Sequence, residues 1–203
     1  MKTESVRGLG EVTLILLIAE LALILLSWIL SAAGVECVRS LLSGEGVRWF
    51  VGDFARMVAS PMLAWLLLSM MAVGAFLRSG PTSLWHEDRS RILSYRDRTA
   101  FRVSLVLLVA YVAAILLLTV VPHAVLLSAS GSLFPSPFSR SIIPIVAFGL
   151  TLVSITFGMM SGRMQSLSDV LEVLSYGIRR YAPLLVLYVF CIMLYQSLRF
   201  VFS

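Results

Sequence analysis

The stretch VTLILLIAELALILLSWILSAA, residues 12–33, decides the fold class of this chain. An apolar helix of about 20 residues has the length needed to cross the hydrocarbon core of a bilayer. Four similar apolar runs follow at residues 57–77, 103–121, 142–160 and 183–202. The chain is 59% hydrophobic and 13% charged, with a mean hydropathy of +0.96, which is more apolar surface than a soluble domain can bury. The sequence therefore predicts an all-α integral membrane protein, with about five transmembrane helices in a single membrane domain.

Two further segments have the pattern of short amphipathic helices at the membrane interface. The first begins within LLSGEGVRWF, residues 41–50, where apolar residues recur at helical spacing from Val47 and Trp49 has the ring type that favours a membrane–water boundary. The second follows a capping box that starts at Ser166, and Pro183 is then expected to begin the last span. The polar segment at residues 78–102 is expected to be a cytoplasmic loop.

The distribution of Lys and Arg predicts the orientation. If the N-terminus is cytoplasmic, eleven of the 16 basic residues lie on the cytoplasmic side and five on the other. The positive-inside rule therefore favours a multi-pass protein of the bacterial inner membrane, with a cytoplasmic N-terminus and a periplasmic C-terminus. The net charge of +5 is explained by loops beside anionic lipid, so no nucleic-acid partner is expected.

No pattern for catalysis, cofactor binding or metal binding is present in the sequence. The two cysteines and the two histidines lie in separate segments: Cys37, His86, His123 and Cys191. We expect Cys191, in the last span, to be a buried apolar side chain. No glycine-rich phosphate loop, catalytic carboxylate pair or Ser/His/Asp set can be assembled. The sequence thus predicts a protein that is not an enzyme.

One acidic residue, Glu20, lies inside the apolar runs, near the middle of the first. A charged side chain at the bilayer centre costs about 2.5–3.5 kcal/mol on insertion scales, so Glu20 should contact protein or water. Polar and small residues recur every seven positions on its helix face: Thr13, Glu20, Ser27 and Gly34. Glu20 and Ser27 are our candidate intramembrane polar site. We favour a protonated Glu20 that is hydrogen-bonded to a neighbouring helix, and the alternative is a proton-transfer site.

A second candidate feature is a series of small residues on the fourth span, Ser154, Gly158 and Gly162. Small residues four positions apart let two helices approach closely in a membrane. This series predicts helix packing, either within one chain or at a dimer contact. The sequence does not distinguish these alternatives, or a dimer contact here from one at Glu20.

Two stretches resemble the p-aminobenzoyl-glutamate transporter (AbgT) family. The first is LLSGEGVRWF, in which SGEG precedes Arg-Trp-Phe. The second is GSLFPSPFSRSIIPIVAFGLTLVSITFGMMSGRMQSLSDVLEVLSYGIRRYAPLLVLYVF, residues 131–190, with Ser-Pro-Phe entering a helix, Ile-Ile-Pro within it and Phe-Gly-x-x-Ser-Gly at its end. The resemblance implies a dimeric scaffold to which a transport part with two re-entrant hairpins is attached.

The regions that correspond to both hairpins are not recognisable in these 203 residues. The leading hypothesis is therefore a scaffold or accessory subunit, which acts as a homodimer or with a larger membrane-protein partner. A second is a minimal secondary transporter or efflux protein for p-aminobenzoyl-glutamate-like aromatic compounds. A third is a remnant, or a subunit whose other half is encoded separately. The sequence names no substrate.

Overall fold

The computed structural model describes residues 3–35, 38–79, 95–120 and 137–202. Within these ranges the chain forms six helices: α1 (Thr3–Ala32), α2 (Gly44–Val58), α3 (Pro61–Ser79), α4 (Tyr95–Val120), α5 (Pro137–Met160) and α6 (Leu167–Val201). All of them except α2 contain a segment long and apolar enough to cross a membrane. The prediction of an all-α membrane protein with five spans is confirmed.

The boundary between α2 and α3 differs from the sequence prediction by four residues. Met57, expected to begin the second span, is in the last turn of α2, and α3 begins at Pro61. Proline disfavours the helical conformation for the residue before it, and it is itself well suited to the first position of a helix. The chain therefore breaks at Ala59 and Ser60 rather than within the apolar run.

The last helix continues through Pro183, where the sequence led us to expect a new helix. Proline removes one backbone hydrogen bond, but its fixed φ angle is compatible with a helix, and transmembrane helices tolerate it. The amphipathic segment that begins at Leu167 is thus the N-terminal part of α6. The placement of this segment and of α2 at a membrane interface stays a prediction.

Two glycines expected on helix faces lie just beyond helix ends. Gly34, after α1, has a φ of 74°, and Gly162, after α5, has a φ of 78°. In each case the chain folds back on the last turn, as the hydrogen bond from Val35 N–H to the Leu30 carbonyl illustrates. Glycine adopts this left-handed conformation without the penalty that a Cβ brings. Both glycines therefore terminate helices and do not extend the packing faces.

Several expectations concern residues outside the described ranges. They include residues 80–94 of the predicted cytoplasmic loop, Cys37, His86 and His123. The prediction for Cys191 is wrong, because this residue is exposed. It lies nine residues before the buried Phe200, which places it on the opposite side of α6.

The chain divides into two compact units, and the first comprises residues 1–64 and 181–203. Its core contains Leu23 of α1, Leu41 of the segment before α2, and Phe200 of α6. Trp49 of α2 stacks on Phe200, with ring centroids 4.3 Å apart. The first unit therefore joins the beginning and the end of the chain.

The second unit comprises residues 65–180. Here α3 and α6 cross with their backbones in contact at Gly74 and Gly177. A Cβ atom added to Gly177 would lie 2.9 Å from the Cα atom of Gly74. Contacts this close are available only to glycine, so the crossing depends on both residues.

The packing of α4 against α5, also within the second unit, is fixed by Tyr111. Its hydroxyl donates a 2.8 Å hydrogen bond to the backbone carbonyl of Ile145. A Cβ atom on Gly149 would lie 2.7 Å from the Tyr111 ring, so this glycine makes room for the aromatic side chain.

Candidate functional site

Glu20 is on the buried side of α1, within the first unit. Only 8% of its surface is exposed. The Oε1 atom accepts a 2.6 Å hydrogen bond from Oγ of Ser197 on α6. The Oε2 atom has no hydrogen-bond partner among the described residues. A buried polar atom without a partner costs about 1–3 kcal/mol, so the carboxyl group has hydrogen-bonding capacity that the fold does not use.

The orientation of Glu20 follows from the distribution of residues around α1. Glu20, Leu23 and Ser27 are three and seven residues apart, which places them on one helix face, and all three are buried. Large apolar side chains on the other faces, among them Ile15 and Leu25, are more than half exposed. Such faces suit contact with lipid tails, while the polar group is kept against protein.

The sequence did not identify Ser197 as the partner of Glu20. The two residues are 177 positions apart. Periodicity within one helix reports which face is buried but not which residue of another helix it meets. In the sequence Ser197 is a small polar residue in an apolar run, and so are Ser154 and other serines. This feature therefore does not distinguish Ser197 as the partner.

Ser27, the second residue of the candidate polar site, holds the segment before α2. Its Oγ atom donates to the Ile24 carbonyl at 2.8 Å and accepts the backbone N–H of Leu41 at 3.2 Å. Seven residues along a helix correspond to about 10 Å, and in the described structure no hydrogen bond joins Ser27 to Glu20. The two residues share a face but not a site.

The SGEG motif gives α2 its start. Ser43 is the N-cap, and its Oγ atom accepts the Gly46 N–H at 3.0 Å and donates to the Ser40 carbonyl at 2.7 Å. Gly46 lies directly against the preceding segment, since a Cβ atom there would be 2.5 Å from the Ser40 carbonyl oxygen and 2.6 Å from that of Leu41. Gly44 has no such neighbour within 4 Å. The cap and the second glycine therefore fix how the chain enters the helix.

A cavity of about 330 Å³ borders Glu20 in the first unit. Its walls are otherwise apolar and come from α1, the segment before α2, α2 itself and α6, and include Leu17, Leu21, Ile24, Phe50, Phe190 and Met193. Among the described residues, Glu20 is the one ionisable side chain in its lining. The site is therefore a single carboxyl group at the edge of an apolar space.

Two of the small residues of α5 are buried in the described structure. Ser154 is fully buried, and its hydroxyl has no hydrogen-bond partner among the described residues. A Cβ atom on Gly158 would lie 2.6 Å from the Cε atom of Met164, which follows the helix. The structure thus places Ser154 and Gly158 on a buried face, and Gly162 in the turn after it.

A polar cluster in the second unit was not anticipated from the sequence. Arg78, at the end of α3, is 3.0 Å from Glu172 on α6, and its guanidinium lies over the Tyr176 ring at 5.3 Å. Both charged side chains are about half exposed. Exposed ion pairs of this kind contribute about 0.2–1 kcal/mol to stability. We therefore interpret the cluster as a contact between helix surfaces and not as a reactive site.

Five helices long and apolar enough to cross a membrane define the class of the protein, which is a multi-pass helical membrane protein. Residues 82–199, more than half of the chain, match the family described as the AbgT putative transporter family. The chain belongs to this family. The match covers α4 and α5 and nearly all of α6, and it begins after the SGEG motif. No curated protein and no solved structure matches the chain.

Proposed function

We propose that this chain is a scaffold or accessory subunit of the bacterial inner membrane, that it is not an enzyme, and that it does not transport a substrate alone. The observation that carries the proposal is the surroundings of Glu20. Its carboxyl group is bound by Ser197 of the same chain and otherwise borders apolar walls. A site for a hydrophilic substrate needs several convergent polar groups near the bilayer midplane.

The continuity of the helices supports a structural role for this part of the chain. Secondary transporters form their sites from discontinuous helices, whose exposed backbone groups bind substrate and ions. In the described ranges α5 continues through Pro144 and α6 through Pro183. The close contact of Gly74 with Gly177 further favours a rigid arrangement of the second unit.

We propose a cytoplasmic N-terminus and a periplasmic C-terminus, because basic residues are concentrated in the segments that this orientation places inside. Cys37 would then be outside the inner membrane. It should react with an impermeant maleimide added to cells whose outer membrane has been permeabilised. Reaction only in inverted inner-membrane vesicles would reverse the orientation.

We further propose that the subunit assembles as a homodimer, or with a larger membrane-protein partner in place of the second copy. The two faces that the sequence suggested, at Glu20 and at Ser154, are covered within the chain. Among the described helices, α4 has the most uncovered apolar span, since only 6% of its most apolar stretch is buried. The contact is therefore expected on α4.

Disulfide cross-linking in native membranes tests this assembly. Single cysteines would be placed at exposed positions along α4, such as Val109, in a chain whose own cysteines have been replaced. A matched position on α1, Leu25, serves as the control. We expect a dimer band for one face of α4 and none for Leu25. If every α4 position yields only monomer, or only a cross-link to a different protein, the homodimer is refuted.

Transport in proteoliposomes tests the scaffold role. The purified chain should not move p-aminobenzoyl-glutamate or p-aminobenzoate against a gradient when a sodium or proton gradient is imposed. Coupled uptake would refute the proposal.

The second candidate function is a minimal secondary transporter for p-aminobenzoyl-glutamate-like aromatic compounds. One observation favours it, which is that a carboxyl group able to carry a proton borders a cavity of about 330 Å³. The negative charges of p-aminobenzoyl-glutamate would be repelled by an ionised Glu20, and the apolar walls offer them no partner. If uptake is observed, its loss in Glu20→Gln would assign proton coupling to this residue.

A further inference from the structure

The cavity beside Glu20 has two properties of a ligand site that the scaffold role does not require. It is large, at about 330 Å³, and it is bordered by a carboxyl group that is more than nine-tenths buried. One oxygen of this group, Oε2, has no hydrogen-bond partner among the described residues. Native proteins rarely leave buried polar atoms unsatisfied, so Oε2, which is covered although the Glu20 side chain borders the cavity, indicates a missing partner.

The size and the walls of the cavity define the apolar part of the ligand. An apolar cavity of about 150 Å³ accommodates a benzene ring. A cavity of roughly twice that volume has room for a ring and a short alkyl chain. Leu17, Leu21 and Phe190 are typical of the walls, which offer hydrophobic contact and few hydrogen bonds.

The carboxyl group defines the polar part of the ligand. A neutral lipid tail would fill the cavity but would leave the carboxyl oxygen without a donor. An acidic ligand would bring a second negative charge beside Glu20. A protonated amine supplies both a donor and the opposite charge, and a charge-assisted hydrogen bond in an apolar environment is strong. The Ser197 hydroxyl can donate to only one of the two oxygens, so one oxygen remains for an amine.

We propose that this cavity is a binding site for a hydrophobic monoamine, whose ammonium group pairs with Glu20 and whose apolar part lies against α1, α2 and α6. The Oε2 atom is covered in the structure. Binding therefore includes a rotation of the carboxyl group that turns one oxygen into the cavity, while the Ser197 hydroxyl donates to the other. The site is independent of the scaffold proposal, since it requires neither a dimer nor transport.

The surface of the first unit provides a route of entry. Leu21 and Leu42 line the cavity and are each more than half exposed, so the cavity opens between α1 and the segment before α2. Hydrophobic amines partition into bilayers, and an opening bordered by leucines admits a ligand that arrives from the lipid phase.

The test is a binding measurement on the full chain in phosphatidylcholine nanodiscs, with empty nanodiscs to subtract partitioning. Radiolabelled 4-phenylbutylamine is the probe, and 4-phenylbutanol, which has nearly the same shape without the charge, competes with it. We expect the amine to bind about tenfold or more tightly than the alcohol. The preference should disappear in Glu20→Gln, because the amide keeps the size of the side chain and removes its charge.

A pair of matched variants locates the site without altering the carboxyl group. Leu21 and Leu26 are about 140° apart around α1 and are equally exposed, at 54%, but of the two only Leu21 lines the cavity. Leu21→Trp should weaken the binding of amine and alcohol by about tenfold or more, whereas Leu26→Trp should leave both unchanged. Helical content and elution volume report whether each variant is folded.

Three results would overturn the proposal. These are equal affinities of the native chain for amine and alcohol, an amine preference that persists in Glu20→Gln, and amine binding that Leu21→Trp does not reduce. The first result would describe an apolar cavity for lipid tails. If Glu20→Gln does not fold, the native amine preference and the Leu21→Trp and Leu26→Trp pair still decide the outcome. None of these measurements depends on the cross-linking or transport results.

Discussion

The replacement of Gly46 by alanine should weaken the fold measurably, whereas the same change at Gly44 should not. Both glycines belong to the first turn of α2 and are two residues apart. A Cβ atom at position 46 would be 2.5–2.7 Å from three backbone atoms, two carbonyl oxygens and one Cα atom of Ser40 and Leu41. Ordinary contacts of a Cβ atom begin near 3.4 Å, and a backbone cannot turn aside as a flexible side chain can.

Two opposing effects determine the size of the change. Alanine in a helix is favoured over glycine by about 0.5–1 kcal/mol. Overpacking in a closely packed region costs about 1–3 kcal/mol, and contacts with backbone place Gly46→Ala toward the upper end. The net effect at position 46 is a destabilisation of about 1–2 kcal/mol. At position 44, where nothing lies within 4 Å, only the gain remains.

Thermal unfolding in a mild detergent, followed by circular dichroism, measures both variants. For a chain of about 200 residues, 1 kcal/mol corresponds to a Tm shift of about 2–4 °C. We expect Gly46→Ala to melt about 2–8 °C below the native chain, and Gly44→Ala to melt at or slightly above it. Equal melting temperatures for the two variants would show that the SGEG segment does not pack as described.

Three other predictions concern stability. Gly177→Ala should lower the free energy of unfolding by about 1–3 kcal/mol, because the added Cβ meets the backbone of α3. Gly52→Ala, where the added Cβ has open space, should be neutral or stabilising. Equal stabilities of the two variants would contradict the described crossing of α3 and α6. Ser43→Ala should lower the free energy of unfolding by about 1 kcal/mol, because the N-cap hydrogen bond is lost. Ser43→Thr, which keeps the hydroxyl, should retain most of this stability. An unaltered Tm for the alanine variant would argue against the cap. Glu172→Gln should cost less than about 1 kcal/mol, and the difference should shrink in high salt, since its ion pair is exposed; a larger, salt-independent loss would refute this.

The fold class could be predicted because the bilayer imposes a length on apolar helices, and this length is visible in each run separately. The ends of the helices were less predictable, because they depend on local chemistry that apolar content does not report. Met57 belongs to α2 and not to the following span, because Pro61 disfavours a helical conformation at the residue before it and so separates the two helices. Gly34 and Gly162 were placed on helix faces because a glycine spacing looks the same in a packing motif and in a helix terminus.

The sequence singles out Glu20 but not the residues around it. The rarity of an acidic residue in an apolar run identified Glu20, and the helical period predicted its buried face. Its partner Ser197 and the cavity arise from segments distant in sequence, and no pattern within one helix encodes them. The glycine pair at positions 74 and 177 was missed for the same reason, since each is a lone glycine in its own helix.

The long separation between Glu20 and Ser197 also has a consequence for biosynthesis. At a synthesis rate of about 5–20 residues per second, the separation of 177 positions corresponds to roughly 9–35 s of synthesis. During that interval α1 is in the membrane or its insertion machinery with a carboxyl group that has no serine partner. Protonation of Glu20, or a chaperone that covers its helix face, would lower the free energy of the carboxyl group in the membrane during this interval. Insertion of α1 should therefore become less dependent on such assistance in Glu20→Leu, even though the finished protein would then lack the Ser197 hydrogen bond.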